Sequence, residues 1–134
     1  MAPRFRCLLL ALLVAAGGCK SAATEPSPNT QTLTVNGGSL TNLSFTSTTS
    51  GTYTATLTWQ TASTTLELYQ ADTTCTGVSA SGTPTGCQVQ ATAPTAAGTT
   101  RVLSSSITKD AQVRIVVVNR SAASESATLS FVVR

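Results

Sequence analysis

Five carboxylates, Glu25, Glu67, Asp72, Asp110 and Glu125, are the acids available for proton transfer. Glycosidase or aspartic-type chemistry needs two of them facing each other across a cleft, and their placement offers no such pair. Glu25 stands in a proline-bearing stretch and Asp110 follows Lys109 in a turn. Glu67 alternates with Leu66 and Leu68 on what reads as a solvent face, the ordinary place for a hydrated charge. Asp72-Thr73-Thr74 could lend oxygens to a hard cation, but one carboxylate is a poor donor set, so no metal or other cofactor is expected. Histidine is absent, which removes His-based triads, His bases and imidazole ligands. Serines are abundant, yet no Gly-x-Ser-x-Gly elbow occurs and no base is present to activate one. The chain is not expected to be an enzyme.

Four cysteines remain to be explained: Cys7, Cys19, Cys75 and Cys87. Cys75 and Cys87 flank a loop rich in Gly, Ser, Thr and Pro, and in an oxidising compartment such a pair reads as a structural disulfide. A redox-active pair usually has two residues between its cysteines, a spacing that tunes the thiolate; eleven residues lie between these two. The loop from Thr76 to Gly86 has only Val78 as a sizeable apolar residue and is expected to add little packing of its own.

Cys7 and Cys19 belong to a different pattern. Arg4 and Arg6 precede an apolar run from Cys7 to Ala16, about the length of a signal-peptide hydrophobic region and too short to span a bilayer, which takes about 20 apolar residues. Gly17-Gly18-Cys19 follows, and the segment resembles the bacterial lipobox, with Ala16 standing where leucine is commonest. The resemblance implies cleavage of residues 1–18, acylation of Cys19 and attachment to a lipid bilayer, because two acyl chains already anchor stably. Lys20, rather than aspartate, after the cysteine implies the outer membrane by the enterobacterial sorting pattern. Residues 19–30, with Pro26 and Pro28 and no large apolar side chain, read as the lipidated cysteine and a semi-extended tether. Residues 31–134 then form one domain, a length suited to a single core.

The composition of that domain indicates strands. The chain has 26 Thr and 16 Ser against 13 charged residues, so its solvent face is covered by hydroxyls, and threonine favours strands. From Lys20 onward 6 basic residues oppose 5 acids. Such a near-neutral surface with a single Trp has neither the phosphate-neutralising footprint nor the stacking platform of a nucleic-acid binder.

From Gly51 to Trp59 the residues Tyr53, Ala55, Leu57 and Trp59 share one parity and Thr52, Thr54, Thr56 and Thr58 the other. That is a half-buried strand with a threonine outer face. Ala127, Leu129, Phe131 and Val133 repeat the design, as do Leu66 and Leu68, and Val113, Ile115 and Val117. Weaker strands are expected over 32–36, 39–46, 87–91 and 99–107, separated by Gly-, Asn- and Pro-bearing turns. Val116-Val117-Val118 breaks the alternation, which marks a central strand covered on both faces. About eight short strands without a helical period predict an all-β, antiparallel, jelly-roll-like sandwich.

Phe45, Gly51–Trp59, Thr65-Leu-Glu-Leu-Tyr-Gln-Ala71, Val113–Asn119 and the C-terminal strand together resemble the bacterial pre-peptidase C-terminal domain. That family is a jelly-roll-like sandwich serving as an accessory part of exported proteins. The family's acidic cluster before the Leu-Tyr strand is replaced here by Ser63-Thr64-Thr65. Trp59 has the inward parity of a core residue, whereas Tyr69 reads as outward-facing and, with Asp72, is the available ligand contact. The expectation is a cell-envelope lipoprotein displaying a non-catalytic interaction or structural module for an envelope protein or glycan. A carbohydrate-binding module is the alternative.

Overall fold

The computed structural model describes residues 28–134; the expected signal segment, Cys19 and most of the tether lie outside the described residues. Ten strands follow in order: β1 Asn29–Val35, β2 Leu40–Thr46, β3 Gly51–Trp59, β4 Leu66–Ala71, β5 Gly77–Val78, β6 Pro84–Thr85, β7 Val89–Thr92, β8 Thr100–Ile107, β9 Gln112–Asn119 and β10 Glu125–Val133. β1 starts two residues before the expected domain boundary, because Asn29 and Thr30 continue the ladder opposite Phe131 and Ser130.

One four-stranded sheet has the order β1-β10-β3-β8, and the other β2-β9-β4-β7; β5 and β6 form a separate small hairpin. Every pairing is antiparallel. With the hairpin set aside, the eight strands have the jelly-roll order, switching sheets at every step except β4 to β7, which pair with each other, and the all-β antiparallel sandwich is the one the sequence predicts. The hairpin itself is not anticipated by the pattern, since its strands are two residues each.

The period-two alternation sets which side chains enter the interior. Tyr53, Ala55, Leu57 and Trp59 of β3 meet Ala127, Leu129 and Phe131 of β10 and Leu66, Leu68, Val113, Ile115 and Val117 of the opposite sheet. Phe131 stacks between Phe45, at 4.4 Å between ring centres, and Tyr53, at 5.1 Å. Tyr53 lies wholly in the core, and its hydroxyl donates to Gln70 Oε1 at 2.5 Å. Burial pushes that hydroxyl up to about 12 by disfavouring the phenolate. Asn119, fully buried at the end of β9, donates from Nδ2 to the carbonyls of Val35 and Ala123, and its Oδ1 accepts from the Ser121 amide. A buried amide satisfied in this way ties the β9–β10 turn to β1.

Candidate functional site

The outer face of the β2-β9-β4-β7 sheet is apolar at its centre and polar at its margins. Val116 and Val118 project from it and join Tyr69, Ala71 and Cys75 in a second apolar cluster, bordered by Leu40, Val78, Cys87 and Val89. The cover over this cluster is the segment from Cys75 to Cys87. Those two cysteines form a disulfide with 4.8 Å between their Cα atoms, as expected from sequence. Asp72 closes the base of the loop: its Oδ1 accepts the Gln88 amide at 2.8 Å, and its own amide donates to the Gln88 carbonyl. Asn42 does the same for Cys75, bonding both its amide and its carbonyl.

Three sequence expectations fail here. Tyr69 is not outward-facing in the sense of being free: it is 6% exposed, and its hydroxyl donates to Glu67 Oε2. Burial, then the hydrogen bond and negative charge of Glu67, raise the Tyr69 hydroxyl well above the ordinary tyrosine range. Glu67 is not a hydrated charge either, for it is 7% exposed and its Oε1 accepts from Arg120 Nη1 at 2.8 Å. Both parities of β4 are buried because the hairpin adds a third layer over its outer side, which alternation within β4 cannot reveal. The loop therefore does pack: Val78 and the disulfide rest on the cluster. Arg120 also donates to the Ser81 carbonyl at 2.6 Å, so one guanidinium joins the sheet to the tip of the hairpin, and its bond to Glu67 strengthens its hold on its proton. Gly82 sits where the guanidinium passes, at a φ of 82°; a Cβ there would strike Arg120 Nε.

A different arrangement occupies the end of the β1-β10-β3-β8 sheet. An open groove of about 510 Å³ is lined by Thr32, Thr58, Trp59, Gln60 and residues 125–128. Trp59 is core, as expected: its indole donates to the Thr64 carbonyl at 3.0 Å, and Arg101, itself buried, lies 5.1 Å above its ring. Glu125 is buried at the groove's floor. Bonds from the Thr61 hydroxyl first, then from Thr64 and the backbone of Thr61 and Gln60, hold its carboxyl below the usual carboxylate range. Arg101, Arg120 and the role of Glu125 were not singled out from sequence, although the inward parity of Arg101 within β8 was a signal for burial. Among the described residues no group of three or more His, Cys, Asp or Glu side chains is placed to hold a metal ion. Asp72 and Tyr69 belong to the same latched region, but each is bonded to a neighbour within the fold.

No family model matches the chain, and no curated protein matches it. Among solved structures it is similar to the Yersinia pseudotuberculosis-derived mitogen, with a TM-score of 0.56 and 15% identity over 81% of this chain and 87% of that one. The likeness is one of fold. It carries the sandwich architecture and nothing of residue chemistry.

Proposed function

We propose that the chain is a bacterial envelope lipoprotein whose β-sandwich is a non-catalytic interaction or structural module, held by acylated Cys19 on a short tether. The anchor rests on the sequence Arg4 to Cys19 and the outer-membrane address on Lys20. The observation that carries the module reading is how the described carboxylates are placed. Glu67 neutralises Arg120, Glu125 is wrapped by Thr61 and Thr64, Asp72 closes the disulfide loop, and Asp110 lies 3.9 Å from Lys109 on the surface. Three hold the fold together and the fourth is solvated. Acids so placed act as structure rather than as a paired acid and base. An accessory role of the kind implied by the pre-peptidase C-terminal resemblance fits the same picture.

Metabolic labelling of the full chain with an alkyne fatty acid tests the anchor: the wild type takes the label, while Cys19→Ala loses it and accumulates as precursor. A Cys19→Ala chain that is still labelled defeats the lipoprotein reading.

The groove at Trp59 and Glu125 favours the second reading, a carbohydrate-binding module. Its size suits a small sugar unit, and its rim of hydroxyls and one amide suits neutral polyols better than ions. Tyr69, the ligand contact expected from sequence, is too buried to stack on a sugar, and the groove offers the exposed surface instead. A glycan array separates the two readings. Binding that Gln60→Ala abolishes supports the carbohydrate module, and uniform silence leaves the protein-interaction module.

A further inference from the structure

A sheet edge is a row of unpaired amides and carbonyls, and secreted β-proteins usually blunt it with charge, proline, a bulge or a covering segment. Two of the four edges in this sandwich are treated in that way. β2 is overlaid at Asn42, whose side chain holds the chain at Cys75. β7 is four residues long and its register slips between Gln70 and Ala71 of its neighbour. β1, seven residues long, carries no charge, proline or bulge, and neither does it carry a large exposed apolar side chain.

β8 has no such protection. It is the longest of the edge strands, eight residues, and pairs with β3 in unbroken register from Gly51↔Ile107 to Thr58↔Thr100. The Trp59 amide donates to the Thr99 carbonyl, so by antiparallel alternation residues of odd number bond to β3 and those of even number face outward. The free edge therefore belongs to Thr100, Val102, Ser104 and Ser106. None carries charge, none is proline, and Val102, 45% exposed, is the large hydrophobic side chain left most open among the described residues. The one charge on the strand, Arg101, points inward and closes the end of the edge by donating to the Thr100 carbonyl at 2.9 Å.

We infer that the β8 edge is a self-pairing interface, at which two copies of this chain join β8 to β8 antiparallel, continuing the β1-β10-β3-β8 sheet across a two-fold axis. With the Thr100 carbonyl taken by Arg101, the register that uses every remaining pair of outward groups centres on Ser104. It sets Ser104 against Ser104 of the second copy and Val102 against its Ser106, with each of these three residues giving its amide and carbonyl. The occupant is a second copy because the edge is neutral and self-complementary under that rotation. A neutral edge meets its own copy without like-charge repulsion, whereas nothing on it would select a partner of opposite charge. The paired strip is narrower than a standard protein interface, so the dimer is weak and reversible.

The test uses the full chain, produced in a bacterial envelope and extracted in detergent. Antiparallel hydrogen-bonded partners stand about 5.5 Å apart at Cα, within disulfide reach. Mild oxidation should therefore convert Ser104→Cys to a covalent dimer, well above the background of the wild type, while Thr54→Cys, on the same face but one strand inward, stays monomeric. In density-matched sedimentation the wild type should show a monomer–dimer equilibrium. Val102→Lys and Ser104→Pro should each weaken it by about tenfold or more with an unaltered circular dichroism spectrum. Proline suits the site because the amide it removes faces outward. A monomeric wild type, an equilibrium untouched by both variants, or a Ser104→Cys adduct at the mass of a foreign protein would each overturn the inference.

Discussion

The two outer faces of the sandwich are built on opposite terms. Outside β3 and β10 the chain presents Thr54, Thr56, Thr128 and Ser130, half-buried among one another with no second layer of strands over them, and Thr54 and Ser104 bond each other at 3.0 Å. Outside β4 and β9 it presents Val116, Val118 and Tyr69, which would be a large apolar patch if left open, and it covers them with a cross-linked hairpin. A bare face is cheap to keep because hydroxyls remain hydrated. A covered face adds burial but requires a lid, and a lid of two-residue strands cannot hold itself in place. The disulfide, the Glu67–Arg120 pair and the Asp72–Gln88 bonds hold it instead.

If the lid depends on its covalent tie, removing that tie should have the largest effect of those considered. Closing a loop whose ends are 12 residues apart stabilises by about 3 kcal/mol through restriction of the unfolded chain, a large share of a typical domain total of roughly 5–15 kcal/mol. The Cys75→Ser, Cys87→Ser double variant should melt well below the wild type, and amides of residues 76–86 should exchange before those of β3 and β10. An unchanged melting temperature would mean that packing and polar bonds alone hold the lid.

Glu67→Ala comes next. It leaves the buried Tyr69 hydroxyl without its acceptor, which costs about 2 kcal/mol, and frees Arg120 from the sheet. Chemical denaturation measures the loss, and a dye specific for exposed apolar surface should bind the variant more than the wild type. A loss within about 0.5 kcal/mol would return Glu67 to the status of an ordinary surface charge.

The acid limb of stability separates the groove end from the lid. Glu125 has a folded pKa below its unfolded one, so its contribution is complete above the unfolded carboxylate value of roughly 4.3. It is lost as pH falls through the lowered folded value, because there the unfolded chain binds the extra proton. Stability of the wild type should therefore decline on acidification below that range. In Glu125→Gln the decline should be shallower and neutral-pH stability lower; an identical acid limb in both would locate the titrating group elsewhere. Thr56→Ser, on the bare face, sharpens the contrast from the other side, with an expected change within about 0.5 kcal/mol. A larger loss would show that the hydroxyl face is packed against something after all.

Much of this was legible in sequence, and the reasons differ by element. β3 reads directly from Thr52 to Trp59, because one face is core and the other water and a period of two records both. β9 announces a second covered face through Val116-Val117-Val118, and Cys75 and Cys87 announce their bond through their spacing across a Gly-, Ser- and Pro-bearing loop. Tyr69 and Glu67 misled because parity identifies which side of a strand a residue occupies, not what lies on that side. Outside β3 there is water; outside β4 there is a hairpin.

What the sequence determined by itself is the local alternation, and with it the strand set, the threonine-coated exterior and the sandwich class, since each depends on neighbours two residues apart. Tertiary structure alone decided the pairing of Glu67 with Arg120 across 53 residues, the placement of Arg101 over Trp59, the groove at Glu125 and the exposure of the β8 edge. Each of these arises where segments distant in the chain are brought together by the two sheets, and the free energy that selects such a contact resides in neither segment alone.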